Sequence, residues 1–190
     1  FHKSFAYHFL QGLRDKASTG FDMDSSEIYN TKQYTFVSNH RDIVLYSAFL
    51  SKLLIDNGFA TTCEIAIGDN LLSLPWVRDL ARLNKSFIVK RGLTPRELMQ
   101  ASIKMARFMV FALKEKHENL WIAQREGRAK DSNDLTQKSV LKMFALGAEG
   151  TLLERLQQFH IVPLSISYEY DPCDYLKAAE MQAKRDNANW

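Results

Sequence analysis

Tyr34-Thr35-Phe36-Val37-Ser38-Asn39-His40-Arg41-Asp42-Ile43-Val44-Leu45-Tyr46 runs from a short β-prone stretch, through a polar tetrapeptide, into apolar residues at helical spacing. A strand feeding a helix is the repeating unit of a layered α/β domain, and the rest of the chain repeats it. The pattern predicts strands over Tyr34–Ser38, Cys63–Ile67, Ser86–Lys90, Leu120–Gln124 and Ile161–Ser167. It predicts helices over Asp42–Asp56, Trp76–Leu83, Pro95–Lys116, Gln137–Phe159 and Asp174–Arg185. Pro95 follows Thr94 and precedes Glu97, the arrangement of an N-cap followed by a first-position proline. The expected fold is therefore α/β, a single layered domain with a central, largely parallel sheet flanked by helices, and ligands of such sheets gather at strand ends.

The chain has 190 residues, 46% hydrophobic and 25% charged, the balance of one well-cored domain. It begins with Phe1 and stops at Trp190 just after a charged helical stretch, so residues 1–190 are expected to be one domain and a fragment of a longer chain. The formal charge of +3 is spread along the sequence, which argues against nucleic acid and suits an anionic membrane surface or phosphorylated substrates. Cys63 and Cys173 belong to no CxxC or Cys/His cluster, so no metal is expected and both are read as reduced thiols of a cytoplasmic protein. The longest apolar run, Phe108 to Leu113, is bracketed by Arg107 and Lys114 and falls far short of a membrane span. Phe1, Phe5, Phe9 and Leu13 recur at helical spacing and give the opening helix one apolar face, for packing on the domain or for lying on a membrane.

Three stretches carry chemistry. The first puts His40 where a strand gives way to a helix. An imidazole there can take a proton from a hydroxyl, with a nearby carboxylate fixing its tautomer; the plain alternative is that His40 and Asp42 cap the helix. Although His40-Arg41-Asp42 is also the catalytic-loop string of protein kinases, Ser47 stands where a kinase needs asparagine. No DFG, APE or glycine-rich loop accompanies it. The second stretch, Phe87-Ile88-Val89-Lys90-Arg91, ends a strand in two cations suited to phosphate. The third, Leu120 to Asp131, runs a strand into the turn Gln124-Arg125-Glu126-Gly127-Arg128-Ala129-Lys130, where Gly127 permits close backbone approach and Arg125, Arg128 and Lys130 are placed to surround an anion. His2, His8, His117 and His160 have no matching partners and are expected to pack or to lie on the surface.

These stretches, followed by Ile161-Val162-Pro163-Leu164-Ser165, resemble in order and spacing the four sequence blocks of the glycerol-3-phosphate and lysophosphatidic acid acyltransferase superfamily. The resemblance covers Phe36 to Ser167. It implies that His40 is a general base, that Arg91 and Arg128 with Lys90 hold the acceptor phosphate, and that Glu126 with Gly127 shapes the site. It also implies an acyl-CoA or acyl carrier protein donor, a glycerol phosphate or lysophospholipid acceptor, no cofactor, and a peripheral location on the inner face of the membrane. The family has aspartate five residues after the histidine, where this chain has Leu45 followed by Tyr46; Asp42 is the only acid in the stretch. Either Asp42 orients His40, or Tyr46 substitutes, or the dyad is incomplete. The last case leaves a second reading, a homologue that binds phospholipid or acyl carrier without turnover. Arg128 follows Gly127 directly, one residue closer than the family's Glu-Gly-x-Arg turn places it.

Overall fold

The structure is a computed structural model that describes residues 1–42, 44–130 and 133–186. Ile43, inside the first expected helix, and Asp131, the last residue of the charge-rich stretch, lie outside the described residues. Five strands, β1 (Thr35–Ser38), β2 (Cys63–Gly68), β3 (Ser86–Val89), β4 (Asn119–Ala123) and β5 (Ile161–Leu164), form one sheet in the order β3-β2-β4-β1-β5, and every pairing is parallel. Seven α-helices stand among the described residues: α1 (Tyr7–Ala17), α2 (Leu45–Asp56), α3 (Pro75–Leu83), α4 (Pro95–Lys114), α5 (Lys138–Phe144), α6 (Leu152–Gln157) and α7 (Asp174–Arg185). The expected α/β class is the one observed.

Side chains alternate across a strand, and here the alternation feeds two cores. Phe36, Ile65 and Trp121 face one side and pack with Tyr46, Leu50 and Leu54 of α2. Leu120 and Ile122 face the other and pack with Ala106, Met109 and Leu113 of α4 and with Met143 and Phe144 of α5. Central strands covered on both faces read as continuous apolar runs, which is why β1 and β4 were legible.

Two boundaries differ from expectation. The helix expected over Gln137–Phe159 is two helices, because Gly147 passes so close to α4 that a Cβ there would sit 2.9 Å from the Ala106 carbonyl oxygen, and Gly150 adopts φ +110. Thr151 then starts α6 with a reciprocal capping box to Glu154. The apolar periodicity spans this break because α5 and α6 face the same core. The strand expected over Ile161–Ser167 ends at Leu164, for a reason that belongs to the site. The Thr94–Glu97 capping box and Pro95 open α4 as anticipated.

The two connections that leave neighbouring β2 and β4 part in opposite directions, toward the β3 edge and the β5 edge. A crevice opens where such connections diverge, beyond the carboxyl ends of the strands. No helix among the described residues is long and apolar enough to cross a membrane.

Candidate active site

His40 is fixed before its ring does anything. Past the end of β1, Asn39 continues the strand pairing with its side chain: Nδ2 donates to the Ile166 carbonyl at 2.9 Å and Oδ1 accepts the Ile166 N–H at 3.0 Å. That substitution is why regular pairing of β5 stops at Leu164. One residue on, the His40 carbonyl accepts the Ala129 N–H at 2.7 Å, and the His40 N–H donates to the Asp134 carboxylate. The imidazole is half-buried and meets Trp121 edge-on, ring centres 6.3 Å apart. Burial pushes its pKa below 6.5, the Asp134 charge pulls it back up, and Arg128 pushes it down again. A histidine so placed is neutral at neutral pH and free to accept a proton.

At the end of β3, Arg91 turns back across the end of β2. Its guanidinium lies over Gly68, where a Cβ would come within 2.7 Å of Nε and 2.5 Å of Asn70 Oδ1, so a side chain there would displace both groups. The Arg91 N–H donates to Asp69 at 3.4 Å, and Nη1 reaches Glu126 at 3.1 Å. Gly127, at φ +72, turns the chain after β4. His40, Lys90, Arg91, Glu126, Gly127 and Arg128 thereby line one cavity of about 480 Å³ at the carboxyl ends of the strands. Ile67, Met105, Ile122, Val140 and Met143 contribute apolar lining to the same cavity. A more open depression of about 730 Å³ lies at the opposite ends of the strands, around Gln33, Lys114, Glu154 and His160, and gathers none of these groups.

Two of the sequence-derived candidates do not reach the cavity. The Asp42 carboxylate accepts the N–H groups of Val44 (2.7 Å) and Leu45 (2.6 Å), so it caps the entry to α2. Tyr46 is 1% exposed in the core, its ring 5.8 Å from that of Tyr168; burial raises its hydroxyl pKa to about 12. Arg125 lines the cavity as well, with Nη1 donating to the Asn133 carbonyl at 3.0 Å, whereas Lys130 pairs with Glu180 of α7 and lies outside the lining. The other histidines have ordinary positions; His2, for example, bridges Thr62 (2.6 Å) and the Leu83 carbonyl (3.1 Å). Among the described residues no three His, Cys, Asp or Glu side chains group as a metal site. Both cysteines are free, Cys63 fully buried and Cys173 exposed.

Sequence reading missed Asp134. It sits in an aperiodic polar stretch ninety-four residues from His40, and only the fold brings the two together.

A sequence model of the family described as Acyltransferase matches residues 22–167, well over half of the chain and all five strands. The chain belongs to the acyltransferase family. The matched region of this acyltransferase takes in His40, the cationic end of β3, the Glu126-Gly127-Arg128 turn and Asp134, and acyl transfer is the family's general chemistry. No curated protein and no solved structure matches the chain.

Proposed function

We propose that this chain moves a fatty acyl group from a thioester donor, acyl-CoA or an acyl carrier protein, to the hydroxyl of a glycerol phosphate or lysophospholipid. The observation that carries the reading is the convergence of a half-buried, neutral His40 with Lys90, Arg91 and Arg128 on one cavity that also has apolar lining from Ile67, Met105, Ile122, Val140 and Met143. His40 takes the acceptor's hydroxyl proton as the oxygen attacks the thioester carbonyl. The C–S bond then breaks, and the departing thiolate takes the proton back from the imidazolium. Arg91, flexible enough to exchange Glu126 for a phosphate, orients the acceptor together with Arg128 and Lys90. Holding both reactants in line supplies much of the rate.

The partner surface in this reading is the inner face of an anionic membrane, met peripherally from the cytoplasm. Phe5 and Phe9 on the opening helix are 66% and 63% exposed, and Trp76, Leu80 and Leu83 of α3 are exposed as well. The His2 bridge to Leu83 ties these two helices together.

Thioester release by the purified chain, with glycerol 3-phosphate and lysophosphatidic acid as acceptors, is the test. His40→Ala should lower turnover by at least ~100-fold, the size of a general-base contribution. Undiminished turnover in that variant sinks the assignment of His40. Lysophospholipid binding with no turnover in the unaltered chain selects the binding-only reading, which the cap role of Asp42 and the buried ring of Tyr46 keep in play.

A further inference from the structure

Among the buried polar atoms without a hydrogen-bond partner are Nδ1 of His40 and Oδ1 of Asp134, a ring nitrogen able to donate and an acceptor for it, alongside the donors Nε of Arg41, Nε of Arg125 and Nε1 of Trp121. His40 and Asp134 are already joined, since the other carboxylate oxygen, Oδ2, accepts the His40 backbone N–H. Nδ1 is four bonds from the backbone nitrogen of the same residue, so a carboxylate docked on that N–H lies beside the residue that carries the ring. Buried polar groups in folded proteins are almost always paired, and of these atoms Oδ1 of Asp134 is the acceptor on the residue already bound to His40.

We propose that Asp134 is the positioning carboxylate of His40, holding Nδ1–H through Oδ1 and leaving Nε2 unprotonated to face the acceptor hydroxyl. The proposal rests on His40 being the base and supplies the group that neither Asp42 nor Tyr46 offers. The proton removed from the acceptor resides on Nε2 until the thiolate takes it. Asp134 stays ionised throughout and stabilises the imidazolium without receiving a proton.

The loop is built to hold Asp134 there. Gln124, just past β4, donates through Nε2 to the Asp134 carbonyl at 2.8 Å and accepts from the Thr136 hydroxyl at 3.0 Å. Its backbone carbonyl accepts the Gln137 N–H at 2.9 Å, and its backbone N–H donates to Ser38 at 2.8 Å. Gln124, through its side chain and its backbone together, thus clamps segment 134–137 to the end of β1. Electrostatics agree with the placement: the Asp134 charge raises the basicity of His40 more than the Asp42 charge does and offsets part of the burial, while the Asp42 backbone adds a smaller upward pull of its own.

The test is Asp134→Asn in the whole chain. Asparagine keeps an oxygen for the His40 N–H, so the loop stays docked, which an unchanged thermal midpoint will show. NMR titration of the His40 ring is the deciding readout, and it does not depend on turnover. The expected result is a further fall in the His40 pKa and a mixture of ring tautomers. Turnover should drop at least ~100-fold with little change in acceptor KM, and the acid limb of the pH profile should move to lower pH. Asp134→Glu should restore part of the rate. An unmoved titration overturns the proposal, as does a titration that moves in Asp42→Asn and not in Asp134→Asn. If the titration moves in Asp134→Asn but His40→Ala retains full turnover, the contact stands and the assignment of His40 as base falls.

Discussion

The side-chain amide of Asn39 pairs with both backbone groups of Ile166, extending the sheet by one position with a side chain in place of a strand. Removing it strands a partly buried N–H and C=O at the point where His40 leaves the sheet. Asn39→Ala should cost about 1–3 kcal/mol, the usual penalty for unsatisfied buried groups. At this chain length that corresponds to about 2–4 °C of melting temperature per kcal/mol. Asn39→Asp retains the acceptor for Ile166 N–H but sets a carboxylate oxygen against the Ile166 carbonyl, so it should cost at least as much. Urea titrations of the three proteins measure the order directly.

The pH dependence follows from the lowered pKa of His40. The proposed base works unprotonated, so turnover should rise with pH through a value below 6.5 and be level at neutrality. Stability carries the same sign. Between 6.5 and the folded-state value the unfolded chain holds more protons than the folded one, so stability is full above 6.5 and declines as pH falls through that window. His2 is shifted in the same direction, chiefly by burial and then by Lys85, and adds to the decline. Urea midpoints between about pH 7.5 and about pH 5 should fall accordingly, and His2→Gln should flatten the slope.

Arg91 spans the cavity mouth to Glu126 at 3.1 Å. If its guanidinium holds the acceptor phosphate, Arg91→Ala should raise acceptor KM far more than donor KM. Loss of a charge-assisted pair in a partly desolvated site is worth about 2 kcal/mol, or roughly 30-fold. Equal changes in both constants would assign Arg91 to structure alone.

Peripheral membrane binding should be salt-sensitive and should depend on the exposed phenylalanines. Sedimentation with anionic phospholipid vesicles should be reversed by about 0.5 M salt, since screening shortens the reach of surface charge. Phe5→Ser with Phe9→Ser should weaken it with little effect on stability, because both rings are mostly exposed. Retention after carbonate extraction would contradict a peripheral attachment.

The sequence disclosed what is local and periodic. β1 and β4 were legible because both faces of each are buried, and α4 because Thr94, Pro95 and Glu97 write its start in adjacent letters. The break between α5 and α6 was hidden, since Gly147 is demanded by the approach of Ala106 from another helix and not by any neighbour in the chain. In the site, His40, Arg91 and Arg128 could be picked out because each follows a strand, and strand ends converge in a parallel sheet. Asp42 and Tyr46 stood as alternative partners of His40 because both are close in sequence, yet the Asp42 carboxylate is spent on the amides of Val44 and Leu45 and the Tyr46 ring is buried in the core. Asp134 arrives from a loop with no period to mark it and is joined to His40 only by tertiary folding.

The two free cysteines turn the molecule into its own pair of clocks. Cys173 is exposed and should react with a thiol reagent at the pace of an unprotected thiol. Cys63 is wholly buried in β2, a strand flanked by β3 and β4, and burial pushes its thiol up and away from the reactive thiolate. Its labelling must wait until the middle of the sheet parts. The ratio of the slow rate to the fast one therefore reads the free energy of that opening in the working protein, without denaturant. Adding a thioester donor that fills the cavity at the strand ends should slow the second clock and leave the first ticking unchanged.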